Sequence, residues 1–228
     1  MLLRFTSPDI LNTSLIDSST GQVAYLIVTT ESSSDSSPTS SHTQSSQADI
    51  TDELRTTAVS DGEGNQLSQI AWRGRRPDIT IGSEHVGTLA DLFDTTSTKL
   101  LPKTLAIPTR FDERYIWAAT ATSLTLVEFD TNQTKGTFYQ NALRSGDKKF
   151  ISTRIPGVGH NYLEFESHPL AKDVEIIISF FMMEILRRGC FTHALTPYMF
   201  PSKRPRFWQL QDTKDLIVRK LHARRNTV

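Results

Sequence analysis

The sequence predicts a mainly β protein: a closed antiparallel β-barrel of about 12 strands enclosing a central, C-terminal hydrophobic α-helix. Three observations predict it. Short segments with strand periodicity recur at roughly 8–12-residue spacing between residues 11 and 166, parted by turn clusters, as in sandwiches and barrels. No strand alternates with a helix, so a parallel sheet is not expected. The third is one greasy stretch, residues 174–186, which reads V-E-I-I-I-S-F-F-M-M-E-I-L. Only Glu175, Ser179 and Glu184 interrupt it. A surface helix carries one apolar stripe, whereas this one is apolar nearly all round and must be enclosed. A sandwich core has no room for it. A closed barrel does, and closure also removes exposed sheet edges.

The elements follow in chain order. Residues 11–17 and 22–30 read as a hairpin about Ser18-Ser19-Thr20-Gly21. In its second strand Val23, Tyr25 and Ile27 alternate with Ala24, Leu26 and Val28, which predicts two-sided burial or cover by another element. Residues 31–52 are packed with Ser and Thr and hold almost no apolar side chain. Such a segment buries too little to offset its ordering entropy, so a disordered loop inserted between strands is expected. Its serines are phosphoacceptors or plain spacer. Strand signals return at 53–61 and 66–73, around the turn Asp61-Gly62-Glu63-Gly64-Asn65. Two short strands follow at 78–82 and 85–89, where Gly87 marks a bulge or close approach. Leu92-Phe93 is expected to plug the core under a loop. Further strands are expected at 104–107, 113–119, 123–130, 137–140, 150–154 and 161–166, with 123–140 the clearest hairpin.

The helix is expected over 170–188. Ser167 is placed to cap it, Pro169 suits its first turn, and Gly189 suits a left-handed closure. Arg187 and Arg188 face the negative end of its dipole. Its core set is Val174, Ile177, Ile178, Phe181, Met182 and Ile185. A membrane span needs roughly 20 apolar residues, so a buried soluble helix is favoured over a membrane-inserted one or an oligomer interface. Residues 1–189 then form the barrel domain. Residues 190–228 form a basic C-terminal extension, with a short helix at 212–225.

Composition narrows the function classes. The 228 residues carry 25 basic and 25 acidic side chains, so no global pull toward nucleic acid or membrane is expected. The single cysteine, Cys190, excludes an intramolecular disulfide and a multi-cysteine zinc site, and it fits a reducing compartment. Cys190 is reactive or lipidated, or an inert thiol. Residues 1–15 hold no continuous apolar run, so no signal peptide is expected. An intracellular, cytoplasmic protein follows, soluble or peripheral on a membrane and without a transmembrane span. The six histidines show no metal-ligand spacing, and there is no G-x-S-x-G elbow, P-loop or H-E-x-x-H. No metal, cofactor or catalytic residue is therefore expected. Glu175 and Glu184 are expected to find strand-borne Arg or Tyr partners rather than to act as catalytic carboxylates.

Two basic features remain. Trp72-Arg73-Gly74-Arg75-Arg76 sets Arg73, Arg75 and Arg76 beside an aromatic at a strand end. Guanidinium groups bind phosphate through paired hydrogen bonds, so this is a candidate anion or lipid head-group site. The plainer reading is a solubilising turn with Trp72 in the core. Residues 203–228 hold eight basic against two acidic side chains, a local charge of +6, which leaves residues 1–202 at −6. There Arg219, Lys220, Arg224 and Arg225 flank Leu216, Ile217 and Leu221, as in a basic amphipathic helix on an anionic membrane. The plainer reading is a tail packed through Phe207-Trp208 or left disordered.

Strand order and terminal helix together resemble the tubby C-terminal-like superfamily, which includes tubby proteins, phospholipid scramblases and LURP-one-related proteins. Within it the chain is most like a fungal family known only as a domain of unknown function. The resemblance is carried by Ile16-Asp17-Ser18-Ser19-Thr20-Gly21-Gln22-Val23-Ala24-Tyr25, by Ile70-Ala71-Trp72, by Tyr115-Ile116-Trp117 and by the terminal helix, over roughly residues 11–189. It implies a barrel of about twelve strands threaded by the helix. Tubby relatives bind phosphoinositide head groups through exposed Lys and Arg, but no individual ligand position transfers to this chain. The cysteine-rich and proline-rich segments of the scramblase branch are missing, which argues against scrambling. The expected function is a non-enzymatic barrel that binds anionic phospholipid head groups or a protein partner through basic loops. The alternatives are a structural or scaffolding protein without a small ligand, and a cavity-based carrier or enzyme.

Overall fold

The computed structural model of the protein describes residues 1–31, 54–73, 76–93, 99–101, 104–146, 149–153, 155 and 157–191. Apart from Glu31, the Ser-rich loop expected at 31–52 lies outside the described residues. So do Arg75, Arg219, Lys220, Arg224, Arg225 and the helix expected at 212–225.

Among the described residues fourteen strands form one antiparallel sheet. The first seven make a continuous meander: β1 (Leu2–Phe5), β2 (Thr13–Asp17), β3 (Val23–Glu31), β4 (Leu54–Asp61), β5 (Gln66–Arg73), β6 (Arg76–Ile81) and β7 (Glu84–Gly87). A short helix, α1 (Leu89–Leu92), follows. A second meander runs through β8 (Lys99–Leu101), β9 (Thr104–Pro108), β10 (Tyr115–Ala119), β11 (Leu124–Glu128) and β12 (Gln133–Arg144). The short β13 (Phe150–Ser152) pairs with the far end of β12, and β14 (His160–Phe165) joins the two meanders by pairing with both β1 and β12. The chain then enters α2 (Asp173–Cys190).

The closed barrel that the sequence predicts is not formed. The ladder runs from β7 to β8 and does not return, so the sheet has two edges. The local reason lies between them. Gly87 sits at φ +96°, and a Cβ there would lie 2.8 Å from the Asp91 carboxylate, so the backbone turns out of β7 directly into α1. Asp91 accepts hydrogen bonds from both the amide and the hydroxyl of Thr88, at 2.7 Å each. Both edge strands stay very short, which limits the unpaired edge. Side chains cover the gap: Leu92 and Phe93 are buried, and Phe93 makes an isolated bridge to Thr109.

Burial of α2 is consecutive. Every residue from Val174 to Glu184 is buried, and at 3.6 residues per turn such a run covers all faces of the helix. Ile177, Ile178, Phe181 and Met182 are in the core, while Ile185 is only half-buried. Phe180 packs among Phe5, Phe138, Trp117 and Phe181. The indole of Trp117 donates to Ser179 Oγ at 2.9 Å, which satisfies the polar interruption in the middle of the helix. The helix ends differ from expectation. Lys172, not Ser167, holds the N-cap position, because residues 168–171 form a turn closed by Ala171 N–H to His168 O at 3.3 Å. Gly189 stays helical, and the last turn closes through Phe191 N–H to Arg187 O at 3.0 Å.

Two-sided burial of β3 is also corrected. Tyr25 and Ile27 face the core, but Val23, Leu26 and Val28 are exposed. Leu26 stands between Ser14 and Ser60, and Val28 beside Ala58, and these small neighbours cannot cover them.

Before α2 the chain is fixed by His168. Its ring packs against Tyr115 and Phe111, Leu170 N–H donates to Nδ1 at 3.2 Å, and Nε2 lies 3.4 Å from Asp112. That pattern puts the ring proton on Nε2. Arg114 completes the cluster through a 2.8 Å ion pair to Asp112 and holds its carboxyl at about 2, below the ordinary 3.8.

Two outcomes follow. Ile177→Lys is expected to abolish the cooperative thermal transition in circular dichroism, because an unpaired buried charge costs several kcal/mol against a total of about 5–15. A melt like that of the unsubstituted protein would contradict enclosure of α2. The second concerns acid. A carboxyl whose folded pKa is depressed stabilises the fold above its unfolded pKa, and that contribution is lost as pH falls through the folded value. The urea midpoint is therefore expected to drop between about pH 4 and pH 2. Asp112→Asn should lower the neutral-pH midpoint and flatten that decline.

Candidate functional site

An antiparallel sheet puts every connection at one of two ends, and α2 identifies them. Arg110, just after β9, donates to Glu84 at 2.7 and 3.2 Å and to Glu175 in the first turn of α2 at 2.7 Å. The β6–β7 and β9–β10 turns therefore lie where α2 begins. At the other end Arg187 donates to the Ala121 carbonyl, in the β10–β11 turn, at 2.9 Å and to Gln140 at 3.1 Å. Arg73 at the end of β5 and Arg76 at the start of β6, opposite to the β6–β7 turn, share this second end, as do Arg144 and Lys149 beyond Gln140.

Charge is unequal between the ends, although Asp9, Glu31 and Asp91 lie where α2 finishes and Arg110, Arg114, Lys135 and Lys172 where it begins. Where α2 begins, the turns carry Asp17, Asp61, Glu63, Glu84, Asp112 and Glu128. Their carboxylates are largely taken up by architecture. Asp17 accepts from the Ser19 amide and hydroxyl, and Asp61 from Asn65 and the Glu63 amide, and these hydrogen bonds draw both below the usual carboxylate range. Arg110 holds Glu84 down in the same way. Lys135 bridges Glu166 at 3.1 Å and Glu128 at 3.7 Å.

The end where α2 finishes holds two kinds of base. Arg187 is structural: it is 1% exposed and donates to both oxygens of Glu184, itself 0% exposed, at 2.6 and 2.9 Å. Arg188 adds a 2.7 Å bond to the same carboxylate. Glu184 is thus partnered by its own helix, and not by a strand as the sequence suggested. Glu175 is met by Arg110 from the sheet. Arg73, Arg76, Arg144 and Lys149 are different. All four are exposed, and among the described residues none has an ion-pair partner. Arg73 and Arg76 stand directly opposite each other in the β5–β6 register, while Arg144 and Lys149 flank the β12–β13 turn.

Of the arginines expected to bind anions, Arg73 and Arg76 are thus brought together in the sheet. Sequence reasoning missed Arg144 and Lys149, because it stopped this strand at residue 140 although β12 runs to Arg144. The available signal was Arg144-Ser145-Gly146-Asp147-Lys148-Lys149, a turn sequence with three bases and one acid.

An open groove of about 800 Å3 lies on the outer sheet face over β1, β14 and β12. Its polar groups are engaged with one another: the Tyr139 hydroxyl donates to Glu164 at 3.1 Å, and Lys135 to Glu166. Burial, with Glu164 beside it, pushes the Tyr139 phenol above its usual range. Among the described residues no group of His, Cys, Asp and Glu gathers as a metal site, and no helix is long and apolar enough to cross a membrane.

Neither a curated protein nor a solved structure matches the chain. A family model does match residues 8–189, a span that begins after β1 and takes in nearly all of α2. The chain belongs to DUF6593, a family of unknown function.

Proposed function

We propose that this protein is a non-enzymatic peripheral module that docks on anionic phospholipid surfaces through the end of the sheet at which α2 finishes. One observation carries the reading. Arg73 and Arg76 face each other across the β5–β6 ladder, exposed and without a counter-charge among the described residues. Like charges directly opposite in a sheet are destabilising, so this pair is a standing cost that a bound phosphate relieves. Guanidinium groups suit that role because each can meet a phosphate with two parallel donors.

Arg144 and Lys149 stand at the same end, and most of the turn carboxylates, Asp17, Asp61, Glu63, Glu84, Asp112 and Glu128, at the other. A chain of zero net charge is then dipolar, and an anionic surface orients it basic end first. Each base near such a surface contributes about 1 kcal/mol. Four give weak, reversible attachment, and the +6 of residues 203–228 follows in the sequence from this same end. The sequence resemblance to the tubby superfamily, within which tubby relatives bind phosphoinositide head groups, points to the same ligand class. No catalytic role is assigned, since α2 takes up the interior and the polar groups of the outer groove are paired with one another.

Vesicle co-sedimentation tests the reading. The full chain should sediment with phosphatidylcholine vesicles that contain phosphoinositide and remain in solution with phosphatidylcholine alone. Recovery should fall as salt is raised, since exposed charges are screened within about 10 Å at 0.1 M. Arg73→Glu with Arg76→Glu should reduce recovery about tenfold or more, given about 1 kcal/mol for each base removed. Equal recovery on the two vesicle types would reject the proposal.

A further inference from the structure

We propose that the outer face of strands β2 to β5 is a self-association surface, on which a second copy of this chain packs face to face in a weak twofold dimer. The inference stands apart from the lipid reading, since it concerns the flank of the sheet and not its end.

Register defines the face. Leu15, Ile27, Val59 and Ile70, one from each strand, are buried, so the alternate side chains point outward. Three of them form a ridge along β3: Val23, Leu26 and Val28 are 43%, 41% and 41% exposed. Val23 joins this row because the bulge makes it the direct partner of Ile16. Among the described residues no other strand carries more than one exposed large apolar side chain. Isolated exposed aliphatics are ordinary, but a row of them on one sheet face is not. Beside the ridge runs a furrow. There β4 presents Thr56, Ala58 and Ser60, which lie opposite Thr30, Val28 and Leu26.

The shape names the occupant, because ridge and furrow are neighbours on one face. A twofold axis that runs along the strands between β3 and β4 lays the ridge of each copy into the furrow of the other. Leu26 and Ser60 are register partners, as are Val28 and Ala58. The same operation therefore sets Leu26 over the second copy's Ser60 and Val28 over its Ala58, and the reciprocal contacts follow by symmetry. Two sheets pack in this way about 10 Å apart with their strands within about 30° of alignment.

Charge and area set the strength. Ridge and furrow are uncharged, so two copies meet there without opposed like charges, whereas an anionic bilayer finds no base to attract it. Charge begins at the margins, with Arg4 on β1 and Arg73 at the end of β5. Four strands at about 4.8 Å spacing and about six residues at about 3.3 Å rise give a footprint of about 400 Å2 per copy. A stable interface buries about 800 Å2 per partner, so this dimer exchanges and dissociates in the micromolar range or above. The axis also points both ends at which α2 finishes the same way, which on the lipid reading doubles the bases offered to one surface.

Sedimentation velocity of the full chain tests the proposal. Between about 5 and 500 µM the weight-average sedimentation coefficient should rise from the monomer value toward that of a dimer. Leu26→Lys and, in a separate chain, Ser60→Glu should each weaken association about tenfold or more by burying an unpaired charge. Both positions face outward in the single chain, so the melting temperature is expected to stay unchanged, and either variant serves if the other fails to fold. An equimolar mixture of the two should associate more tightly than either alone, because the twofold sets the introduced ammonium over the introduced carboxylate. A chain that stays monomeric across this range overturns the proposal, as does self-association that neither substitution weakens. Loss in both variants without recovery in the mixture overturns the twofold described.

Discussion

The constraint on which the rest of the structure depends is that α2 has no face fit for water. Eleven consecutive residues, Val174 to Glu184, must be covered at once, and no flat sheet can do that. The sheet therefore has to curl around the helix. Full hydrogen-bonded closure is one way to satisfy the requirement, but it is not what this chain does. It leaves a seam between two very short edge strands and covers it with Leu92, Phe93 and the Arg110 bridge from Glu84 to Glu175. The half-buried Arg110 is pushed further above its already high range by these two carboxylates, so it remains charged throughout. The bridge binds sheet edge to helix through side chains alone. Such contacts break more locally than a strand ladder does.

With the interior filled by α2, the surfaces the chain presents are the outer sheet face and the two ends. The antiparallel topology then decides what the outside looks like, because turns alternate between two ends and their compositions need not match. More of the acidic turns suited to Asx-type hydrogen bonding, such as those of Asp17 and Asp61, fall at one end, although Asp9 makes a turn of the same kind at the other. Bases with no such local use collect at the other. Charge separation arises from turn chemistry and strand parity together, in a chain whose totals cancel.

Much of this was legible in the sequence, for identifiable reasons. The core helix announced itself, since a run such as Ile176-Ile177-Ile178 followed by Phe180-Phe181-Met182-Met183 cannot be left wet. The meanders were visible because turn residues punctuate them. Closure was not legible, because no periodicity separates strands that pair round a ring from strands that stop at an edge. The exit from β7 is marked by Gly87 at φ +96° and by the Thr88–Asp91 capping box that opens α1. The exposed face of β3 was misjudged for a related reason: alternation shows that two faces exist, but burial of Leu26 and Val28 depends on neighbours such as Ser14, Ser60 and Ala58, which only the register brings beside them. Of the candidate site, the arginine cluster was legible as composition. The partnership of Arg73 with Arg76, and the company of Arg144 and Lys149, required the topology.

An exposed arginine alone argues little, because most surface charges are unpaired or weakly paired. The case here rests on a contrast within one molecule. Bases drawn toward the core, Arg110, Arg187 and Arg188, are each matched to a carboxylate, so the chain supplies counter-charges where a base needs one. It supplies none to Arg73 and Arg76 among the described residues, although they repel each other across a ladder. At that same end the Tyr139–Phe150 stack, a left-handed Asn141 and Gly159, where a Cβ would meet the Asn141 backbone, hold the end of β12 against the start of β14. Each feature separately would be an ordinary cost of a surface. For Arg73 and Arg76 the contrast is the stronger, since the same chain places a carboxylate against each arginine it draws inward.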